Sequence, residues 1–331
     1  MIIKLIIVVV LYFLTNYLIK FLKVNPIHKK IVLYLDYVFI YRPTLFFTIW
    51  VVICLGMYTA YLTNGYIPQW MFEFNIKTCL LFISISCIMG AIFIREQQEA
   101  LEKNECLNKD NIRLLFNITL FIGLTIPLFI NIYNFILGLI LYLFRYFIFR
   151  KEKVQNNLLI NCLSSTFMGI ILLLSGFFIV QTRGNYFSVD LISISYIPVL
   201  VFLLFSLCSL SIFLLIEIFE SKKNLFDNRR ITVSISTVLL LFVLLISFYI
   251  NDPLLSICTL VSFPFYIYAL LRNMDKDIIR AIRYPLFIFN FFVATIFPYL
   301  AIAVIIIFYF SKYYYWHRFN LHYPTFLINN D

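Results

Sequence analysis

Charge is what this sequence has least of. Asp, Glu, Lys and Arg make up 13% of its 331 residues, about half the roughly 25% of a soluble domain, which excludes a water-soluble globule. Glycine is scarce, with eight in the whole chain, and there are only three histidines. No P-loop, glycine-rich dinucleotide loop or serine-histidine-acid set stands in a credible context. His28 is alone in a basic loop, and His317 and His322 lie in an aromatic-basic tail that reads as an interfacial belt before it reads as a metal pair. The seven cysteines form no CxxC pair, and six of them, Cys54, Cys79, Cys87, Cys162, Cys208 and Cys258, fall inside apolar runs. They read as small core residues, which excludes a disulfide or zinc framework.

What is present is apolar: 63% of the residues are hydrophobic and 19% aromatic. A membrane span takes ~20 such residues. Apolar runs bounded by charge predict ten helices near 2–22, 44–63, 75–94, 112–130, 132–149, 158–180, 191–216, 231–250, 253–272 and 285–311. The expected fold is therefore an all-α polytopic transmembrane bundle. The first run is too long for a signal-peptide core and lacks a small-residue cleavage site before Lys20 and Lys23, so it is expected to persist as a helix. Between the fourth and fifth spans, Pro127, Asn131 and Asn134 mark a tight turn.

The excess of 26 Lys and Arg over 16 Asp and Glu would suggest nucleic acid in a soluble protein. Here the cations lie in short connections between apolar runs, so nucleic-acid binding is not expected. Nineteen of them fall at 23–43, 95–113, 149–157, 217–230 and 272–284, against Arg183, Lys312 and Arg318 in the alternate connections. Since cytoplasmic loops hold the excess, this alternation predicts an integral membrane protein with both termini outside; the membrane is expected to be that of a bacterial cell. Twelve of the sixteen acidic residues lie on the same inner side, and polar chemistry is expected there.

Two inner segments are acidic. After the third span, Glu96, Glu99, Glu102 and Glu105 recur every three residues, a slanting stripe if the helix continues past the membrane. Carboxylates gathered at the mouth of a bundle suit Mg²⁺, which takes oxygen ligands and is often shared with substrate phosphates. A solvated helix extension accounts for the same spacing. After the seventh span, Glu217 and Glu220 share a helical face where the apolar run ends; the alternatives are a second metal or phosphate contact and an interfacial cap. Arg150 and Lys151 in the run Phe149-Arg150-Lys151-Glu152-Lys153 suit a phosphate, and equally serve as an orientation signal.

This arrangement resembles a known family. With the first helix set aside, nine helices with polar loops after the second and sixth are similar to the UbiA superfamily of intramembrane prenyltransferases. The resemblance rests on Leu35-Asp36-Tyr37-Val38-Phe39-Ile40-Tyr41-Arg42-Pro43 with Trp50 and Gly56 behind it, and on Gly90-Ala91-Ile92-Phe93-Ile94 before the acidic loop. It continues through the basic run at 150–153 followed by Asn161, Gly169 and Gly176, to the ending Tyr313-Tyr314-Tyr315-Trp316-His317-Arg318. It divides the chain into an added N-terminal transmembrane helix at 1–23 and a UbiA-like helical domain at 35–326.

The resemblance implies a prenyl group passed from a polyprenyl diphosphate to a lipophilic acceptor, amid membrane lipids. Glu96, Glu99, Glu102, Glu217 and Glu220 would then hold Mg²⁺, and Arg150 and Lys151 would contact phosphate. The family's Asp-rich motifs are degraded here. The first places Glu96 and Gln97 at its start, Ala100 at its middle aspartate and Asn104 at its last; the second is not recognisable. Weakened or lost activity follows as an expectation, as does the alternative of a non-catalytic protein of the same fold that binds an isoprenoid or a partner. A lipid-linked sugar transporter or polymerase shares the composition but calls for charge within spans, and in this chain the charges lie near span ends.

Overall fold

A computed structural model describes residues 10, 12–14, 16–17, 27–66, 75–96, 109–149, 158–181, 196–220 and 229–319. The described residues contain helices and no strand. In chain order the helices are α1 (Ile27–Phe39), α2 (Phe46–Thr63), α3 (Ile76–Glu96), α4 (Lys109–Thr125), α5 (Ile132–Phe149), α6 (Leu158–Gln181), α7 (Tyr196–Glu220), α8 (Arg229–Ile250), α9 (Pro253–Arg272), α10 (Asp275–Ile296) and α11 (Pro298–Phe319). Nine helical segments among the described residues are long and apolar enough to cross a membrane, and Ile132–Phe147 adds a shorter apolar one. Of the predicted first helix, Val10, Tyr12, Phe13, Leu14, Asn16 and Tyr17 are described and helical, and the Tyr12 ring meets that of Tyr309 at 6.0 Å.

The breaks between helices follow from local chemistry. Arg42 adopts a left-handed conformation (φ 49°) before Pro43 opens the short 3₁₀ turn Pro43–Leu45, where a residue without an N–H costs nothing. Pro127 ends α4 in a second 3₁₀ turn, Ile126–Phe129, and the Asn131 side chain then accepts the Asn134 N–H at 2.6 Å to start α5. Asn251 (φ 58°) closes α8, and Asp252 caps α9 by accepting the N–H groups of Leu254 and Leu255 at 3.0 and 3.2 Å. Within spans, hydroxyls such as those of Thr59, Ser175 and Thr259 bond carbonyls one turn back in their own helices. That satisfies polar groups where lipid offers no partner.

One predicted span is corrected. The run at 285–311 is two helices, α10 and α11, broken at Phe297 and Pro298. Proline lacks the N–H and disfavours the helical conformation of the residue before it. The first turns of α10 carry Asp275, Lys276, Asp277, Arg280 and Arg283, and their polarity reads as a loop in an apolar scan.

The extra crossing brings the end of α11 back to α1. The Tyr314 hydroxyl donates to Asp36 Oδ1 at 2.7 Å, Arg318 Nε lies 3.1 Å from the same oxygen, and the Phe39 and Tyr314 rings stack at 3.8 Å. The C-terminal end of α11 thus shares the face of residues 27–39, opposite to the side expected for it. Lys312 and Arg318 thus lie towards the face of residues 27–39 rather than away from it.

The bundle is organised around α2, the most buried helix, which packs against α6, α10, α7 and α11. Association of apolar helices in lipid depends on close packing rather than on transfer from water. Small residues supply it: a Cβ on Gly56 would collide with the Leu173 carbonyl, and one on Gly176 with the Ile53 carbonyl.

Candidate functional site

Two separate hollows, of about 530 Å³ and about 380 Å³, are each lined in part by α2, and they form a larger and a smaller compartment. The smaller compartment lies inside the ring of α2, α3, α5, α6, α7 and α10 and is lined by apolar side chains such as Ile49, Phe93, Met168, Phe205 and Phe289, with Thr48, Ser165 and Ser209 as neutral polar groups. At Gly169 a Cβ would sit 3.3 Å from the Phe205 ring, so its small size lets that ring close one side.

Two charged residues line this compartment, Glu96 from the last turn of α3 and Arg145 from α5. Arg145 Nε donates to Glu96 Oε1 at 2.8 Å, and the two side chains are 18% and 17% exposed. Beside them the Arg95 guanidinium lies 4.0 Å from the centre of the Tyr146 ring. One cation and one anion thus meet at the edge of an apolar hollow, with a second cation stacked on the Tyr146 ring next to them in sequence. A charge at the end of a span has to be paired or reach water, and consecutive residues on α3 (95 and 96) and on α5 (145 and 146) interlock to satisfy this.

The predicted site residues divide accordingly. Ile216 lines the same compartment and immediately precedes Glu217, so the ends of α3 and α7, which carry the two acidic segments, open onto one hollow. Glu96 is engaged by Arg145. Glu217 lies within electrostatic reach of the Cys162 thiol at the start of α6. Glu220 is in the last turn of α7, and its side chain is not among those described. Glu99, Glu102, Arg150 and Lys151 lie outside the described residues.

Among the described residues no three His, Cys, Asp or Glu gather as a metal site would require. Of the Glu96 carboxylate, Oε1 is engaged by Arg145. Arg145 is a lining residue of the hollow that the sequence patterns left unmarked as a site candidate. Its signal was available: an arginine five residues inside the end of an apolar run demands a nearby anion.

Fold and cavity together define a polytopic membrane protein whose helical bundle encloses a hollow suited to an amphiphile. A solved structure of digeranylgeranylglyceryl phosphate synthase in membranes, a UbiA-family prenyltransferase, has this same fold: it matches with a TM-score of 0.52 at 16% identity, over 80% of this chain and 98% of that one. At that identity the likeness is one of fold. No protein-family model matches the chain, and no curated protein does.

Proposed function

We propose that the protein is a membrane prenyltransferase of the UbiA type, which binds a polyprenyl diphosphate and passes its prenyl group to a lipophilic acceptor. The observation that carries this reading is the smaller compartment. It is an apolar hollow of about 380 Å³ whose mouth holds Arg145 and Glu96, with the ends of both acidic-segment helices around it. A ligand pocket of this kind combines apolar walls with a few polar groups that orient the ligand. The prenyl chain occupies the hollow, and the diphosphate lies at the cation-rich face, where Arg95 and Arg145 sit and Arg150 and Lys151 follow. Glu99, Glu102, Glu217 and Glu220 are the carboxylates assigned to Mg²⁺, which when bound neutralises charge on a diphosphate leaving group; Glu96 serves Arg145 instead.

The test is prenyl transfer by purified protein in lipid nanodiscs, with allylic diphosphates of several chain lengths and a set of lipophilic acceptors, with and without Mg²⁺. Mg²⁺-dependent transfer that falls at least tenfold in E99Q/E102Q supports the reading; no transfer from any donor overturns it. A second reading, a non-catalytic isoprenoid-binding protein of this fold, is favoured by the Glu96–Arg145 pair, since a carboxylate committed to an arginine is withdrawn from metal binding. It predicts diphosphate binding in the same nanodiscs with no turnover.

A further inference from the structure

The larger compartment, about 530 Å³, shares no lining residue with the smaller one. Its walls come from α1, α2, α3, α4 and α11, and no Asp, Glu, Lys, Arg or His lines it. A charged headgroup here would be left without a counter-ion in an apolar setting, at a cost of several kcal/mol or more. The lining is not wholly apolar, however, and the direction of its hydrogen bonds can be worked out.

Thr119 gives its one hydroxyl hydrogen to the Leu115 carbonyl at 2.6 Å. In the 2.7 Å contact between Tyr41 and Thr119, Tyr41 is therefore the donor, and its own oxygen keeps accepting capacity. On the facing helix, Trp50 Nε1 donates to Ser86 Oγ at 2.9 Å, and no acceptor among the described residues takes the Ser86 hydroxyl hydrogen. Both side chains line the hollow. Gly90, one helical turn after Ser86 on α3, is where a Cβ would strike the Tyr41 ring, so the missing side chain holds that ring against the same helix face. The hollow thus presents one unused donor, on Ser86, and one unused acceptor, on Tyr41, both in an uncharged groove.

A neutral hydroxyl complements that pair, accepting from Ser86 and donating to Tyr41. We infer that this compartment is a second ligand site, which takes a neutral long-chain lipid bearing a free hydroxyl group, seated independently of the smaller compartment.

Trp50 lines the compartment and supplies the readout. A dibrominated sixteen-carbon alcohol and its methyl ether are titrated into full-length protein in nanodiscs, and tryptophan quenching that disappears in W50F is taken as the site signal. The alcohol is expected to quench at lower concentration than the ether, by about fivefold, because the ether still accepts from Ser86 but has no hydrogen to give Tyr41. In Y41F the preference is expected to shrink with quenching by the ether unchanged, whereas S86A is expected to weaken alcohol and ether alike, because both accept from Ser86. Equal quenching by alcohol and ether in the wild-type protein overturns the inference, because it marks a groove filled by any bilayer chain; so does quenching that persists in W50F. The wild-type comparison needs no variant to fold, and no outcome depends on prenyl transfer.

Discussion

Gly56 and Gly176 face one another across the crossing of α2 and α6, each lying where the other helix's backbone passes: Gly56 against the Leu173 carbonyl, Gly176 against that of Ile53. The two contacts hold the central wall of the bundle at a separation only glycine permits. G56A or G176A must push a backbone aside, and overpacking of this kind costs about 1–3 kcal/mol or more. At Gly169 the obstacle is the Phe205 ring, 3.3 Å from a Cβ, and a ring tip can yield. Thermal unfolding in detergent is expected to show clear losses for G56A and G176A and a smaller one for G169A. Equal behaviour of all three would dismiss the close crossing.

The pair at the mouth of the central hollow predicts an asymmetry. R145Q strands the Glu96 carboxylate and removes a cation from the diphosphate face, whereas E96Q frees Arg145 for an anion. Breaking either side is expected to destabilise by about 1–3 kcal/mol. Equilibrium binding of a polyprenyl diphosphate should weaken in R145Q and hold or improve in E96Q. A collapse of Mg²⁺-dependent binding in E96Q would instead make Glu96 a metal ligand.

The contact of Asp36 with Tyr314 and Arg318 fixes relative sidedness. An epitope tag appended after residue 319 and another inserted within 97–108 are expected to be reached by antibody from the same side of sealed vesicles. D36A removes the acceptor of both Tyr314 and Arg318 and should increase proteolysis near the end of α11. Tags exposed on opposite sides would require an odd number of crossings between α3 and the end of α11, which eight helices from α4 to α11 do not give.

Asp252 joins a cap to a burial cost. Its Oδ1 accepts from Leu254 and Leu255 and faces the Tyr58 hydroxyl at 3.3 Å, while Oδ2 has no partner among the described residues. Burial pushes this carboxyl above its ordinary range, opposed by the N–H bonds from Leu255 and Leu254 and by Tyr58. A folded value above the unfolded one means that its contribution is fully present below the unfolded value and fades as pH rises through the folded one. D252A loses the cap, about 1–2 kcal/mol. D252N keeps an acceptor and removes the buried charge, so it should unfold closer to wild type and with a weaker loss of stability as pH rises. A pH-independent difference between wild type and D252N would show that the buried carboxyl is not the titrating group.

Much of the fold was legible because lipid imposes a simple rule: stretches of ~20 apolar residues must be helices. The turn at Pro127, Asn131 and Asn134 was readable for the same reason, since proline and asparagine act through their own backbones. The division of 285–311 was missed because α10 begins with five charged residues, and an apolar scan has no means of recognising a span whose first turns are polar. Of the predicted site residues, Glu96 lines the hollow, and Ile216 beside Glu217 does so too. The engagement of Glu96 by Arg145 joins residues 49 apart in sequence, and nothing local to either announces the other.

The amino-acid sequence by itself determined that this chain is a membrane-embedded helical protein with its charges gathered at one face, because each of those properties is a sum over neighbours along the chain. The tertiary structure alone decided that Gly56 meets Gly176, that Arg145 claims Glu96, that α11 returns to Asp36, and that α2 lines two hollows of opposite chemical character, one charged at its mouth and one neutral throughout. Those outcomes depend on which helix faces which, and helix partners in lipid are selected by the fit of surfaces distant in sequence.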